Sequence, residues 1–346
     1  MEQSKKVSTQ RHGRALEIIA ILLSCSVLLG GCAGGANSLA GATTPLPNGV
    51  LPNFAHVFVI MLENRGYGQI IGNSHAPFLN HLATSAGLAT KYTGVSHPSQ
   101  PNYLAAISGG TFGVQDDNNI TLHVPNLVDQ LEEHGRTWKA YMQAINQCAS
   151  PLDSVCGGGA YARKHNPFVS FADIQSNPSR MQQIVDTSAL AHDLASGQVA
   201  NFVWISPDQC HDMHGLALPA SDPCSGEHPD GLTAKGDAFT QTTVEAIMRS
   251  TAWSSAAGPS VIFITWDESE GTSEDISGCC GVDSGGGHVV MITISQAVSG
   301  ARTSTVAYNH YSLLTTIQQS WGLGCLEATC DIAQVHPLTD LVGNSN

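Results

Sequence analysis

The chain has 346 residues, 42% of them hydrophobic and only 12% charged, and a formal net charge of −14 at pH 7. Such length and apolar content suit one large globular domain or two small ones and exclude a disordered chain. The acidic balance excludes nucleic acid as a partner, because phosphate contacts need Lys and Arg, and it suits a site that gathers cations.

Lys5, Lys6, Arg11 and Arg14 precede an apolar run at 18–29, and Leu29, Gly30 and Gly31 lead into Cys32. Residues 1–31 thus resemble a bacterial lipoprotein signal peptide, with an ordinary cleaved signal or an uncleaved anchor helix as alternatives. In each case the body, which carries −16 once residues 1–31 are set aside, is expected to be exported. Its expected membrane contact is through an N-terminal lipid anchor at Cys32. Residues 32–53, rich in Gly, Ala, Pro, Ser and Thr, read as a flexible tether, and 54–346 as the functional domain. Eight cysteines remain beyond Cys25 and Cys32, in close pairs: Cys148/Cys156, Cys210/Cys224, Cys279/Cys280 and Cys325/Cys330. In an oxidising compartment these predict local disulfides, although adjacent Cys279 and Cys280 could bridge elsewhere. No CxxC spacing supports zinc.

The continuous apolar run 56–62 predicts a strand buried on both faces of a parallel sheet. It ends abruptly in Glu63, Asn64 and Arg65. A helix is predicted at 76–83, followed by the turn Ser96-His97-Pro98-Ser99-Gln100-Pro101-Asn102 and a helix start through 103–107. Pro101 suits a first helical turn, whose N–H groups would face the Ser99 hydroxyl, and Asn102 could add a side-chain N–H. Helical spacing recurs at 126–135 with a Gly stop, and a second strand is predicted at 137–142. Residues 146–180 read as an irregular loop. Its cluster Arg163, Lys164, His165 is either a solvated face or a reach over a phosphate site.

A third strand at 201–206 opens into Asp208, His211, Asp212 and His214. An amphipathic helix is predicted at 233–253, and a fourth strand at 260–266 delivers Asp267 and Glu268. A Gly- and Ser-rich loop at 271–287 leads to His288, a fifth strand at 289–294, and a capped helix from His310 to Trp321. Any one of these polar strand ends could be surface loop. Three of them beside a serine at a helix start read as one active site, because parallel strands bring their carboxyl ends together.

Several motifs resemble one family: Glu63-Asn64-Arg65, Ile71-Gly72-Asn73, Ala76-Pro77-Phe78, His97-Pro98-Ser99, Pro101-Asn102-Tyr103, Arg163-Lys164-His165, Asp212-Met213-His214, Thr265-Trp266-Asp267-Glu268 and His310-Tyr311. The chain is similar to the phosphoesterase family of secreted acid phosphatases and phospholipase C-type enzymes, within the alkaline phosphatase-like superfamily. The resemblance spans residues 54–323. It implies an α/β/α sandwich with a mainly parallel central sheet and a metal-dependent acid phosphatase that works through a phosphoserine. Carried over, Ser99 is the nucleophile and Asn102 its transition-state partner, with His214 and His310 as further catalytic groups. Glu63, Asn64, Asp267, Glu268 and Asp212 would hold a divalent metal ion, and His165, Lys164 and His97 would contact a small phosphomonoester or phosphoinositide-type substrate. Superfamily members with two metals pair Asp with His where this chain has Asp267-Glu268, which leaves the metal count open. The alternative within the fold is a phospholipase C-type phosphodiesterase acting on lipid headgroups, whose relatives typically carry added C-terminal domains. An acyl serine hydrolase is excluded by motif, since no Gly-x-Ser-x-Gly elbow surrounds Ser99. A catalytically dead binding lipoprotein is disfavoured by the intact Glu63, Ser99, Asp267 and Glu268.

Overall fold

The computed structural model describes residues 51–270 and 275–343. The signal segment and the tether up to residue 50 lie outside them. The last tether residues are pinned to the body, since Pro52 O accepts from Ser320 Oγ at 2.7 Å and Asn53 Oδ1 from Arg136 at 2.7 Å.

Eleven strands occur among the described residues: β1 (His56–Leu62), β2 (Gly87–Thr93), β3 (Trp138–Met142), β4 (Val155–Cys156), β5 (Tyr161–Ala162), β6 (Ile184–Val185), β7 (Phe202–Ser206), β8 (Ser260–Trp266), β9 (His288–Ser295), β10 (Arg302–Ser304) and β11 (Tyr308–Asn309). Nine form one sheet in the order β10-β2-β9-β8-β1-β7-β3-β6, with β11 also on β2, while β4 and β5 make a separate two-stranded ribbon. Every pairing in the large sheet is parallel except those of β9, which runs against both β8 and β2. The expected α/β/α sandwich with a mainly parallel sheet is the fold observed.

The three central strands explain this order. β1, β7 and β8 are almost wholly buried runs of Val, Ile, Phe, Met and Trp, the composition of strands covered on both faces. Flanking helices cover them. The helix Ser99–Ser108 packs on His310–Trp321, and Pro77–Ser85 packs on Pro229–Arg249. The last of these starts earlier than the spacing at 233–253 suggests, because Pro229 fits a first helical position where no N–H partner is needed. Gly236 inside it is required by close approach, since a Cβ there would meet Met213 Cγ at 2.5 Å.

β2 has no counterpart in the sequence reading. Its segment Gly-Leu-Ala-Thr-Lys-Tyr-Thr alternates too weakly to announce a strand, and only pairing with β9, β10 and β11 defines it. The region 146–180 is short single turns around the β4–β5 ribbon. There Arg163 points inward to Ile120 O and Val169 O, at 2.9 and 2.8 Å, which takes it away from any phosphate role. The sulfurs of Cys148 and Cys156, Cys210 and Cys224, and Cys325 and Cys330 are each within bonding distance, whereas Cys279 and Cys280 are free thiols.

Candidate active site

The register sets the site. Leu62 is level with Trp266 across β1 and β8, so Glu63 leaves its strand beside Asp267 and Glu268. Asp267 N–H donates to Leu62 O at 3.0 Å, and Glu63 N–H donates to Asp212 O at 2.8 Å, which ties in the loop after β7. Asn64 takes a left-handed backbone (φ 45°), a conformation that Asn tolerates better than most residues, and Met213 does the same (φ 84°). Both turns direct neighbouring side chains inward.

Ser99 is the first residue of its helix and is buried. Its hydroxyl lies 3.1 Å from Glu63 Oε2 and 3.2 Å from Glu268 Oε1, so two carboxylates from different strand ends compete for one proton. Tyr103, one turn along the same helix, donates to the other Glu63 oxygen and stacks on the His165 ring at 5.5 Å. His165 lies between carboxylates, with Nε2 3.2 Å from Glu63 Oε2 and Nδ1 3.4 Å from Asp212 Oδ2. Burial pushes its pKa down to about 4. Lys164 Nζ pairs with Asp117 at 2.9 Å. Burial opposes its charge, but Glu63 and Asp117 outweigh that and hold the ammonium above its ordinary value.

His214 is half-buried, its ring 6.0 Å from that of His165. Its Nδ1–H donates to Gly215 O at 2.7 Å, and its backbone N–H donates to Asp212 Oδ1 at 2.7 Å. That leaves Nε2 as the atom able to exchange a proton.

Four expectations need correction. Asn102 is no donor to Ser99: its Oδ1 accepts from Val95 and Ser96 N–H at 2.8 and 3.1 Å, and its Nδ2 donates to Ser96 O and Pro98 O at 2.8 and 3.2 Å. It holds the turn that presents Ser99. The helix start is also less open than expected, because Gln100 N–H already donates to Asp117 Oδ1 at 3.0 Å. His310 is fully buried with both ring nitrogens occupied, by Tyr92 OH at 3.1 Å and Asp267 O at 2.6 Å, and burial pushes its pKa down to about 4. It fixes the Asp267 backbone and has no free nitrogen for a leaving group. His97, expected to meet substrate, has its ring held by Glu268 and by Asp275 O at 3.0 Å.

Tyr103 and Asp117 are the residues that the sequence reading missed. For Tyr103 a signal existed, since Ser99 and Tyr103 stand four apart and therefore share a helix face. For Asp117 there was none.

The site is short of positive charge. Glu63, Asp212, Asp267 and Glu268 are all buried, and burial is the main cause raising each of their pKa values, Asp212 to about 7. Among the described residues, Asp267 Oδ2 and Asn64 Oδ1 are buried without a hydrogen-bond donor, and Asp212 Oδ2 has only the long approach of His165 Nδ1 at 3.4 Å. Also among them, no group of three or more His, Cys, Asp or Glu side chains is arranged to hold a metal ion as it stands. The donor chemistry nonetheless fits a hard divalent cation, being carboxylate and amide oxygens with unused lone pairs and uncompensated charge. Gly94 helps to close the site: a Cβ there would meet Asp267 O at 2.7 Å and Gly286 Cα at 2.9 Å, so the turn before Ser99 lies flush against both.

The sequence pattern of the Phosphoesterase family matches residues 73–324. The phosphatidylinositol-3-phosphatase of Mycobacterium tuberculosis is 30% identical over 338 residues, covering 96% of this chain and 95% of that protein. The acid phosphatase of Aspergillus fumigatus is 26% identical over 279 residues, covering 79% of this chain and 56% of that one. Among solved structures, a protein of the alkaline phosphatase superfamily from Vibrio parahaemolyticus aligns with a TM-score of 0.54 at 12% identity, over 86% of this chain and 75% of that chain. The lipoteichoic acid synthase LtaP from Listeria monocytogenes aligns with a TM-score of 0.52 at 10% identity, over 81% and 76%. These two likenesses are of fold.

Proposed function

Because the chain belongs to the phosphoesterase family and is a phosphatase, we propose that it hydrolyses phosphomonoesters, including phosphoinositide-type ones, through a phosphoserine at Ser99. The observation that carries this reading is the buried Ser99 hydroxyl at a helix start, set between Glu63 and Glu268.

In this scheme Glu63 and Glu268 are the acceptors of the hydroxyl proton. Their oxygens lie 3.1 and 3.2 Å from the hydroxyl, within reach of its proton. Tyr103 holds Glu63 from the far side, Asn64 Nδ2 holds Glu268 at 3.3 Å, and Asn102 fixes the turn. The Ser99 oxygen attacks phosphorus in line, the ester oxygen leaves, and water later releases phosphate. His214, through Nε2, gives the leaving oxygen its proton. Lys164 adds positive charge at the mouth. A divalent cation would be held by Glu63, Asn64, Asp267 and Glu268, with Asp212 beside them, and when bound it would neutralise phosphoryl oxygens and make the hydroxyl more acidic.

Export, with Cys32 as the lipidated anchor, is part of the proposal. It is supported by the N-terminal pattern and by three cysteine pairs at bonding distance in the body. Among the described residues no helix is long and apolar enough to cross a membrane. The test is hydrolysis of a chromogenic phosphomonoester by the parent and by Ser99→Ala, each with and without a chelator. Parent activity that the chelator abolishes, with Ser99→Ala nearly inactive throughout, is expected. Turnover by Ser99→Ala at the parent's rate would refute it.

A further inference from the structure

The free thiols of Cys279 and Cys280 take no part in the chemistry above. Both are partly exposed, in a body where the other six described cysteines are paired. They sit next to the site. Thr93 Oγ1 lies 3.6 Å from Cys279 Sγ, and Thr93 ends the strand that leads into the Ser99 turn. The Cys279 carbonyl accepts from Asn309 Nδ2 at 3.1 Å and from Val282 N–H at 3.0 Å. The same Asn309, through Oδ1, caps the helix that starts with His310, taking Tyr311 and Ser312 N–H at 3.0 and 3.4 Å. His310 in turn holds Asp267 O. Cys280 has a left-handed backbone (φ 61°), so the segment turns sharply at the pair.

From this arrangement we infer that Cys279 and Cys280 are a redox-active vicinal dithiol, which a small-molecule disulfide closes to a ring and thereby loosens the Asn309 cap. Cys280 Sγ donates to Ala307 O at 3.4 Å, while the neighbouring thiol lowers the pKa of Cys279, so Cys279 is the attacking sulfur. Its thiolate attacks the small disulfide and expels one thiolate. Cys280, losing its proton, then attacks Cys279 Sγ and expels the second. Two protein thiols are oxidised and one small disulfide is reduced to two thiols.

Ring closure cannot leave the peptide between them undisturbed. Adjacent Cα atoms stand about 3.8 Å apart, below the roughly 4.4–6.8 Å that disulfides usually span. The Cys279 carbonyl belongs to that peptide, so its bond to Asn309 is the first contact to change. For the same reason the ring is strained and easily reduced, unlike the three longer loops, and this is the character of a reversible couple rather than a structural bridge.

The test uses the full chain, reduced just enough to free this pair and then exposed to oxidised glutathione. Peptide mass mapping should show the 279–280 peptide losing two hydrogens, with no glutathione retained. Mild dithiothreitol should reverse this while the other three pairs stay closed. Phenylarsine oxide, which bridges two neighbouring thiols with loss of water, should label the reduced protein, protect it from glutathione, and fail on Cys280→Ser. That variant should instead keep one glutathione on Cys279. Amide exchange at the first turn of 310–321 should become several-fold faster in the oxidised parent and stay unchanged in Cys280→Ser. Stable glutathione on both cysteines, thiols that do not react, or a ring that leaves exchange at 310–321 unaltered would each overturn the inference.

Discussion

Replacing Asn102 with Ala separates a residue that positions the nucleophile from one that touches substrate. The side chain makes four hydrogen bonds of 2.8–3.2 Å to backbone groups of residues 95, 96 and 98, all of them buried or nearly so. Each neutral bond contributes about 1 kcal/mol net, so losing all four costs about 3–4 kcal/mol. For a body of this size that lowers the melting temperature by roughly 5–7 °C. A loosened turn also lets Ser99 drift from its place between Glu63 and Glu268, and a displacement of about 1 Å can cost roughly 100-fold in rate. Ser99→Ala removes one hydroxyl and should cost at most about 1–2 kcal/mol while abolishing most turnover. Asn102→Asp should do no better than Ala, because it puts an acceptor where Nδ2 donated to Ser96 O and Pro98 O. Thermal unfolding and steady-state hydrolysis of a phosphomonoester, run on all three variants, are the assays. An Asn102→Ala protein that melts like the parent, yet loses as much kcat as Ser99→Ala, would refute the positioning role.

Two further outcomes follow from the same geometry. Tyr103→Phe keeps the ring stacked on His165 but removes the donor to Glu63; losing a hydrogen bond to a charged group should lower kcat roughly ten- to hundredfold, and a kcat equal to the parent's would contradict the account. Asp267→Asn weakens the oxygen set proposed for the cation, so raised divalent cation should restore part of its activity and none of that lost in Ser99→Ala; variants that respond alike would contradict it.

The parts of the fold legible in the sequence are those set by local pattern. The runs at 56–62, 201–206 and 260–266 are apolar on both faces, which only a covered parallel strand requires, and their polar ends met as the topology demands. β2 escaped because its residues alternate weakly, and the reversal of β9 escaped because direction leaves no trace in composition. Within the site, residue type was readable and availability was not. Asn102, His97 and His310 look like reactive groups until tertiary contacts occupy their polar atoms. Asn102 turns back on 95–98 only because the turn folds over it, and His310 meets Tyr92 and Asp267 only across the sheet. Arg163 and His165, adjacent to one lysine in sequence, end in quite different places.

A covalent bond between Ser99 and phosphorus is the central step of the proposed reaction, and trapping that bond tests it most directly. The full chain is mixed with a good phosphomonoester substrate, quenched in acid within a turnover, and digested for peptide mass mapping. The expected result is one phosphoryl group on Ser99, absent from Ser99→Ala and at no other position. A parent enzyme that turns over rapidly under the same conditions, with Ser99 unmodified or with the phosphoryl group on another residue, would contradict it.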